Sequence, residues 1–316
     1  MKFKFGLCFS RPLAGNQPLS HLDLKLPTYL RFLELCRQKD WSVYILTRKT
    51  YQGSGRFAGA WLYDQGKFSL TNEPVDIDLV YDLTGGLDFP PEQTGRMVAV
   101  NRRDFKVLAA DKYQTYLAIG RFMPKTFWVG EKANLPAILP KITTDWVVLK
   151  PTDGLKGIGI YVGPKAGAPA FEFAQNFPRY VAQEFLDTGA GIPGLVTGKH
   201  DLRVVITNGR VVWCHVRTPA RGEFTANVAR GGTIREIDYQ KQVPETVKKI
   251  VAKIAPIFYR QYDNPVFSLD FGMSPDGPRI FEINDRMGFP RWEMKNRDTF
   301  LNALIENFEM KLGHGL

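Results

Sequence analysis

Val148-Leu-Lys-Pro-Thr-Asp-Gly-Leu-Lys-Gly-Ile-Gly-Ile160 reads as a buried strand ending in Lys150, then glycines at 154, 157 and 159, then a second apolar strand. Glycine lets a backbone come close to a phosphate and turn its N–H groups toward the oxygens, while Lys150 supplies a point charge. Lys150, Gly154, Gly157 and Gly159 therefore form a candidate phosphate cover. No GxxxxGK[ST] loop is present, and the spacing is not the dinucleotide GxGxxG. Alone, the stretch reads equally well as a plain glycine-rich hairpin, so the residues around it must decide.

Downstream, VFSLDFGMSPDGPRIFEIN (266–284) reads as a hairpin with Asp270 on one strand and Glu282 and Asn284 on the next. Glu282 and Asn284 are two apart and share a face. One plausible register sets Asp270 opposite one of them, and a slip of one residue would undo this. Three oxygen ligands without a His or Cys cluster suit magnesium, which prefers oxygen and bridges to substrate phosphates. The alternative is a polar strand edge facing solvent. Between cover and hairpin lie Asp201-Leu-Arg203 on a strand, Arg217 at the end of the next, and a glycine-flanked loop carrying Asn227. Fixed positive charges such as Arg203 and Arg217 stabilise charge developing on a transferring phosphoryl group; surface salt bridges are the plainer reading.

Upstream, residues 3–9, 27–39 and 42–46 read as strand, helix, strand, and 78–81 as a further strand running into a glycine turn at Gly85-Gly86. An open α/β unit over residues 1–98 is expected. A helical segment follows from Asn101 to Thr126, then short strands, the hairpin signal Asn208-Gly209, and a helix near 244–260. The 316 residues allow two or three packed units. A hydrophobic fraction of 44% with 23% charged residues is that of a globular chain. The net charge of +10 favours polyanionic ligands. Lysines and arginines are scattered instead of massed, which argues against a dedicated nucleic-acid surface. Cys8, Cys36 and Cys214 form no CxxC pair, which fits a reducing cytoplasm. No apolar run reaches the roughly 18 to 20 residues needed to span a bilayer. The four histidines show no metal spacing, and no GxSxG elbow occurs.

Six ordered motifs then match a family. They are Ala110-Asp-Lys112 with Pro124-Lys-Thr126, Lys150-Pro-x-x-Gly-x-x-Gly-x-Gly159, Gln183-Glu-Phe-Leu186, Asp201-Leu-Arg203, Phe224-Thr-Ala-Asn227 with Arg230-Gly-Gly232, and Asp270 with Glu282-Ile-Asn284. Over roughly residues 100 to 290 the chain resembles the ATP-grasp carboxylate–amine ligases, nearest to the RimK-like and glutathione synthetase-like branch and to spore-coat-associated ATP-grasp proteins. The resemblance implies an ATP-grasp fold, two α+β subdomains gripping ATP after an N-terminal open α/β domain. The expected bounds are 1–98, 99–186 with the glycine-rich loop, and 187–316 with the metal-binding hairpin.

The resemblance further implies that Lys112 and Lys150 contact the nucleotide, that Gln183, Glu184, Phe185 and Leu186 form the hinge around adenine, and that Asp201 is the ribose-side acid. The loop at Gly154, Gly157 and Gly159 would close over the phosphates. Asp270, Glu282 and Asn284 would hold two magnesium ions, with manganese as a substitute. Arg217, with Arg203 and Asn227, would face the γ-phosphate and an acyl phosphate. The implied activity joins a carboxylate to an amine, on an amino acid or acidic peptide or a protein acceptor, with homo-oligomerisation left open. The alternative is a coat-associated or scaffold protein of the same shape with little turnover. Departures from the pattern are the long 187–200 segment, Thr225 in place of an arginine, and Asn284-Asp-Arg-Met-Gly-Phe at the hairpin exit, where Arg286 could meet a substrate carboxylate.

Overall fold

The structure, a computed structural model, describes residues 2–11, 13, 17–84, 95–154, 157–224, 226 and 231–313. The glycine turn expected at Gly85-Gly86 and the expected site residue Asn227, with Thr225 and Arg230 beside it, lie outside the described residues.

The N-terminal sheet is built from β1 (Lys4–Phe9), β2 (Ser42–Thr47), β5 (Trp61–Asp64), β6 (Lys67–Leu70), β8 (Leu79–Asp82) and β9 (Val98–Val100), in the order β6-β5-β2-β1-β8-β9. Strands β2, β1, β8 and β9 are parallel, whereas β5 and β6 add an antiparallel edge. A small sheet of β3 (Tyr51–Gly53), β4 (Arg56–Phe57) and β7 (Val75–Asp76) sits beside it. Helix α1 (Leu26–Gln38) connects β1 to β2, with proline in its first turn, where a missing N–H costs nothing. Tyr29, Phe32, Leu33 and Cys36 repeat at helical spacing and are buried.

The expected single helical segment at 101–126 is two helices, α2 (Arg103–Ala110) and α3 (Lys112–Ile119). Asp111 separates them: its carboxylate caps α3 by accepting from the N–H groups of Tyr113 at 2.8 Å and Gln114 at 3.1 Å. Four antiparallel strands follow in the order β10-β13-β11-β12, being β10 (Thr126–Gly130), β11 (Trp146–Pro151), β12 (Tyr161–Pro164) and β13 (Tyr180–Glu184).

The last sheet is antiparallel, β16-β15-β14-β17-β18, from β14 (Asp201–Thr207), β15 (Arg210–Thr218), β16 (Thr233–Glu236), β17 (Phe267–Ser274) and β18 (Gly277–Asn284). Asn208 and Gly209 both take positive φ, 53° and 73°, as the tight turn between β14 and β15 demands. Leu202, Val204, Ile206, Cys214, Leu269 and Ile283 pack with the Val247, Val251, Ile254 and Phe258 stripe of α4 (Glu245–Gln261). Val205 and Trp213 instead join a core shared with Phe5 of β1 and with Phe300 and Phe308 of α5 (Arg297–Gly313). The C-terminal helix thus completes the N-terminal core, and β9 carries that sheet to Val100, past the expected boundary at 98. Among the described residues no helix is long and apolar enough to cross a membrane. Cys8, Cys36 and Cys214 are free and buried.

Candidate functional site

A cleft of about 420 Å³ lies between the four-stranded and five-stranded sheets, within the size range of small-molecule sites. Its lining holds Lys112, Lys150, Gly157, Gln183, Glu184, Phe185, Leu186, Asp201, Arg203, Arg217, Glu282, Asn284 and Arg286. Sequence residues separated by up to 174 positions therefore meet in one place, from Lys112 to Arg286. Gly154, Gly159 and Asp270 stand just outside that lining. Gly159 needs its glycine, since φ is 70° and an added Cβ would lie 2.8 Å from the Tyr180 hydroxyl.

Pairing across the five-stranded sheet aligns the charged residues in rows. Glu236, His215, Arg203, Asp270 and Glu282 stand opposite one another from β16 to β18, and Asp201 stands opposite Arg217 in the next row. Directly opposed residues of antiparallel strands point to one face. Two bulges make this alignment. Counting back from the β17–β18 turn without interruption would set Asp270 against Phe281, but the register shifts between Asp270 and Phe271 and brings Glu282 there instead. The extra residue, Phe281, lays its ring where a Cβ on Gly272 would be, 2.2 Å from the nearest ring atom. A second shift, between Val205 and Ile206, likewise sets Arg203 opposite His215 and Asp201 opposite Arg217.

Asp270 is 2% exposed and receives Arg203 in a two-pronged pair, Nε and Nη2 each at 2.6 Å. Arg217 donates to the same carboxylate at 2.9 Å and to Asp201, and the Asn284 amide donates to Asp270 at 3.1 Å. Burial opposes ionisation of Asp270, but Arg203 and Arg217 outweigh it and hold its carboxyl below the usual range. Burial and the neighbouring Asp270 charge push the Asp201 carboxyl up. His215, beside them, is kept neutral by burial and by Arg203 and Arg217.

On the facing sheet Lys150 donates to Gln183 Oε1 at 2.6 Å, and Gln183 donates to Thr126 at 2.8 Å. Burial lowers the Lys150 amine to about 8, Glu282 pulling the other way and Lys112 adding to the fall. Lys112 donates to the Gly154 carbonyl at 2.7 Å and lies 3.9 Å from Glu282, so it links the glycine loop to the opposite sheet. Glu184 accepts from the N–H and hydroxyl of Thr143 at 3.2 and 2.5 Å, and the Phe185 N–H donates to Thr144.

Several lining residues were given no individual role in the sequence. Val148 and Val162 follow from strand alternation around Lys150, a legible signal. Asp187, Thr188 and Lys199 come from the long 187–200 segment, which has no periodicity to read. Phe224 sits on Trp146 and Phe185, ring centroids 5.7 and 6.2 Å away. His200 is held at Nδ1 by the Gly198 carbonyl and accepts from the Met273 N–H, a packed residue and not a free base.

The donor set fits a nucleotide with a divalent cation. Val148, Ile160, Val162, Phe185 and Phe224 offer apolar walls for a planar base, and Lys112 and Lys150 offer charge for phosphates. Glu282 and Asn284 face the cleft with oxygens that could hold an ion. Asp270 could join them through Oδ1, which accepts from Arg203 Nε and keeps a further lone pair, whereas Oδ2 already accepts from Arg203, Arg217 and Asn284.

Residues 112–261 match the family described as prokaryotic glutathione synthetase, ATP-grasp domain. A protein of Aeromonas salmonicida (strain A449) named probable alpha-L-glutamate ligase is 26% identical over 217 residues, covering 68% of this chain and 66% of the relative. The chain spans 58% to 66% of the length of three such curated relatives. D-alanyl-alanine synthetase A from Vibrio cholerae matches in structure with a TM-score of 0.66 at 13% identity, over 98% of both chains. A RimK domain protein ATP-grasp from Sphaerobacter thermophilus matches with a TM-score of 0.62 at 14% identity, over 96% of this chain and 98% of the other. At such identities these likenesses speak for the fold.

Proposed function

We propose, since this chain belongs to the ATP-grasp superfamily of carboxylate–amine ligases, that it joins a carboxylate to an amine at the expense of ATP, through an acyl phosphate. The observation that carries this reading is the meeting of Lys112, Lys150, Arg203, Arg217, Glu282 and Asn284 in one cleft. The reaction transfers the γ-phosphoryl group to a substrate carboxylate oxygen, releasing ADP; the amine then forms the amide bond, phosphate leaves, and the surplus amine proton passes to solvent.

In that reading Lys150 and Lys112 bind the phosphates as point charges, and the 183–186 strand end positions the base. Arg217, oriented by Asp201 and Asp270, offsets charge on the transferring group; Arg203 is held rigid by its two bonds to Asp270. Glu282 and Asn284 would hold magnesium, which neutralises phosphate charge. Gly157 and Ile160 would help exclude water from the reacting carbonyl. Relatives named probable alpha-L-glutamate ligases support an amino acid or acidic peptide as substrate. Buried free thiols and ATP chemistry support a cytoplasmic setting.

The test is ADP release from ATP and magnesium across amino acids and short acidic peptides, with hydroxylamine as a trapping amine. Carboxylate-dependent ADP with a hydroxamate is expected, and Glu282→Gln should abolish both while leaving metal-free nucleotide binding unchanged. ADP release indifferent to every carboxylate would overturn the ligase reading. The alternative is an ATP-binding scaffold with little turnover; tight ATP binding without any hydroxamate would select it.

A further inference from the structure

Lys106 lies on the buried side of α2 with Phe105, Leu108 and Ala109, and is itself only 5% exposed. A lysine is tolerated in such a place when its charge is paired. Its amine donates to Oδ2 of Asp82, the last residue of β8, which is 1% exposed. Oδ1 of the same carboxylate accepts from the Thr84 N–H at 2.8 Å and from the Thr84 hydroxyl at 2.6 Å. With both oxygens occupied, Asp82 holds the Lys106 amine in one position. The crevice beyond the carboxyl ends of parallel strands is where ligands usually bind, and Asp82 ends β8 on that side of the N-terminal sheet.

On its other side Lys106 lies 3.9 Å from Oδ2 of Asp285, and Oδ1 of Asp285 accepts from Arg286 Nε at 3.3 Å. The backbone at this point is fixed separately, by the Asn101 amide donating to the Asp285 carbonyl at 3.0 Å. Charges of alternating sign therefore run from the N-terminal sheet through α2 to the exit of β18, in the order Asp82, Lys106, Asp285, Arg286. Arg286 is the member that reaches the cleft. It differs there from the other two arginines of the lining. Arg203 commits Nε and Nη2 to Asp270, and Arg217 commits Nη2 to Asp201 and Asp270. Among the described residues nothing pairs with either Nη of Arg286. A guanidinium anchored at Nε with its outer nitrogens open is set to grip a planar oxyanion by two parallel hydrogen bonds.

We infer that Lys106, fixed by Asp82, is a positioning residue: it holds the Asp285 carboxylate, which in turn aims Arg286 into the cleft to receive the carboxylate that is to be activated. The N-terminal sheet thereby sets the geometry of a group in the site between the other two sheets. The last step of this chain, the carboxylate, rests on the ligase reading; the positioning of Arg286 by Lys106 stands on its own geometry.

The experiment compares the full-length protein with Arg286→Gln, with the paired change Lys106→Met and Asp82→Asn, and with all three changes combined. Lys106 and Asp82 are changed together because a lone buried charge would destabilise the fold, whereas neutralising both partners is commonly tolerated. Hydroxamate formation is followed with ATP, magnesium and hydroxylamine, using L-glutamate, L-alanine and acetate as carboxylates. Arg286→Gln should raise KM for the carboxylate at least about tenfold, the loss of one partner of a charge pair. The paired variant should raise it at least about threefold, by misplacing that contact. KM for ATP should stay within about twofold in both. A purely structural clamp would instead lower the fraction of active protein, hence kcat, and leave KM alone. The combined variant should match Arg286→Gln within about twofold, since both changes act through one contact. Phenylglyoxal labelling, read by peptide mass spectrometry, gives a measure independent of turnover. It should modify Arg286 before Arg203 and Arg217, and the paired variant should change the Arg286 rate at least about threefold while leaving Arg203 within about twofold. The inference is overturned by an unchanged carboxylate KM in the paired variant, by effects that multiply in the combined one, or by an unmoved Arg286 labelling rate. Hydroxamate formation with silent variants would sink the inference while sparing the ligase reading. No hydroxamate from any carboxylate would count against the ligase reading, and labelling alone would then decide whether Lys106 positions Arg286.

Discussion

Lys150 offers the most direct probe of the site at the level of a single residue. Its amine is lowered from 10.5 to about 8, chiefly by burial. Between those two pH values the unfolded chain holds a proton that the folded chain has released, so this group makes free-protein stability rise with pH in that window. Nucleotide affinity should move oppositely. As pH climbs through about 8 the amine loses the charge that a phosphate needs, and affinity should fall by up to about tenfold per pH unit if only the protonated form binds. Calorimetric titration of ATP from pH 7 to 9.5 checks this, with Lys150→Met flattening the curve; a flat wild-type curve would remove Lys150 from the phosphate site. The place of Lys150 between a strand and a glycine loop was legible in the sequence. Its bond to Gln183 was not, because the two residues stand 33 apart and meet only through the pairing of β11 with β13.

Among the elements, the junction between the N-terminal sheet and the β17–β18 hairpin depends on Asn101. This buried side chain donates to the carbonyls of Val266 at 2.6 Å and Asp285 at 3.0 Å and accepts from the Val266 N–H at 2.7 Å. Removing it leaves buried backbone groups without partners, so Asn101→Ala should cost about 2 to 4 kcal/mol of stability. Urea denaturation measures the loss; a change below about 0.5 kcal/mol would mean that water replaces the amide. Most elements were legible because their apolar spacing is regular, as in α1 and α4. The break at Asp111 was hidden because the apolar pattern continues through it, and only the capping bonds of its carboxylate reveal two helices.

For the molecule as a whole, the core that joins Phe5, Trp213, Phe300 and Phe308 makes the N-terminal sheet and the five-stranded sheet share one hydrophobic interior. A single thermal transition is expected. Magnesium and ATP at about a hundred times Kd should stabilise the whole by about 2.7 kcal/mol, raising Tm by several degrees, and chelation of the metal should remove part of the shift. Differential scanning fluorimetry decides, and two transitions of which only one responds to nucleotide would show that the first sheet folds independently. The sequence by itself determined the kinds of residue available to the site and the local forms that carry them. Strand alternation, glycine spacing and turn residues depend on neighbours within a few positions. Tertiary structure alone decided which of those residues meet. The two bulges that turn Glu282 toward Asp270 and Arg203 toward His215 are choices of register, and register is settled by packing between strands. The placing of Lys106 between Asp82 and Asp285 is of the same kind, a contact among parts of the chain far apart in sequence that only the packing of α2 between β8 and the β18 exit brings about.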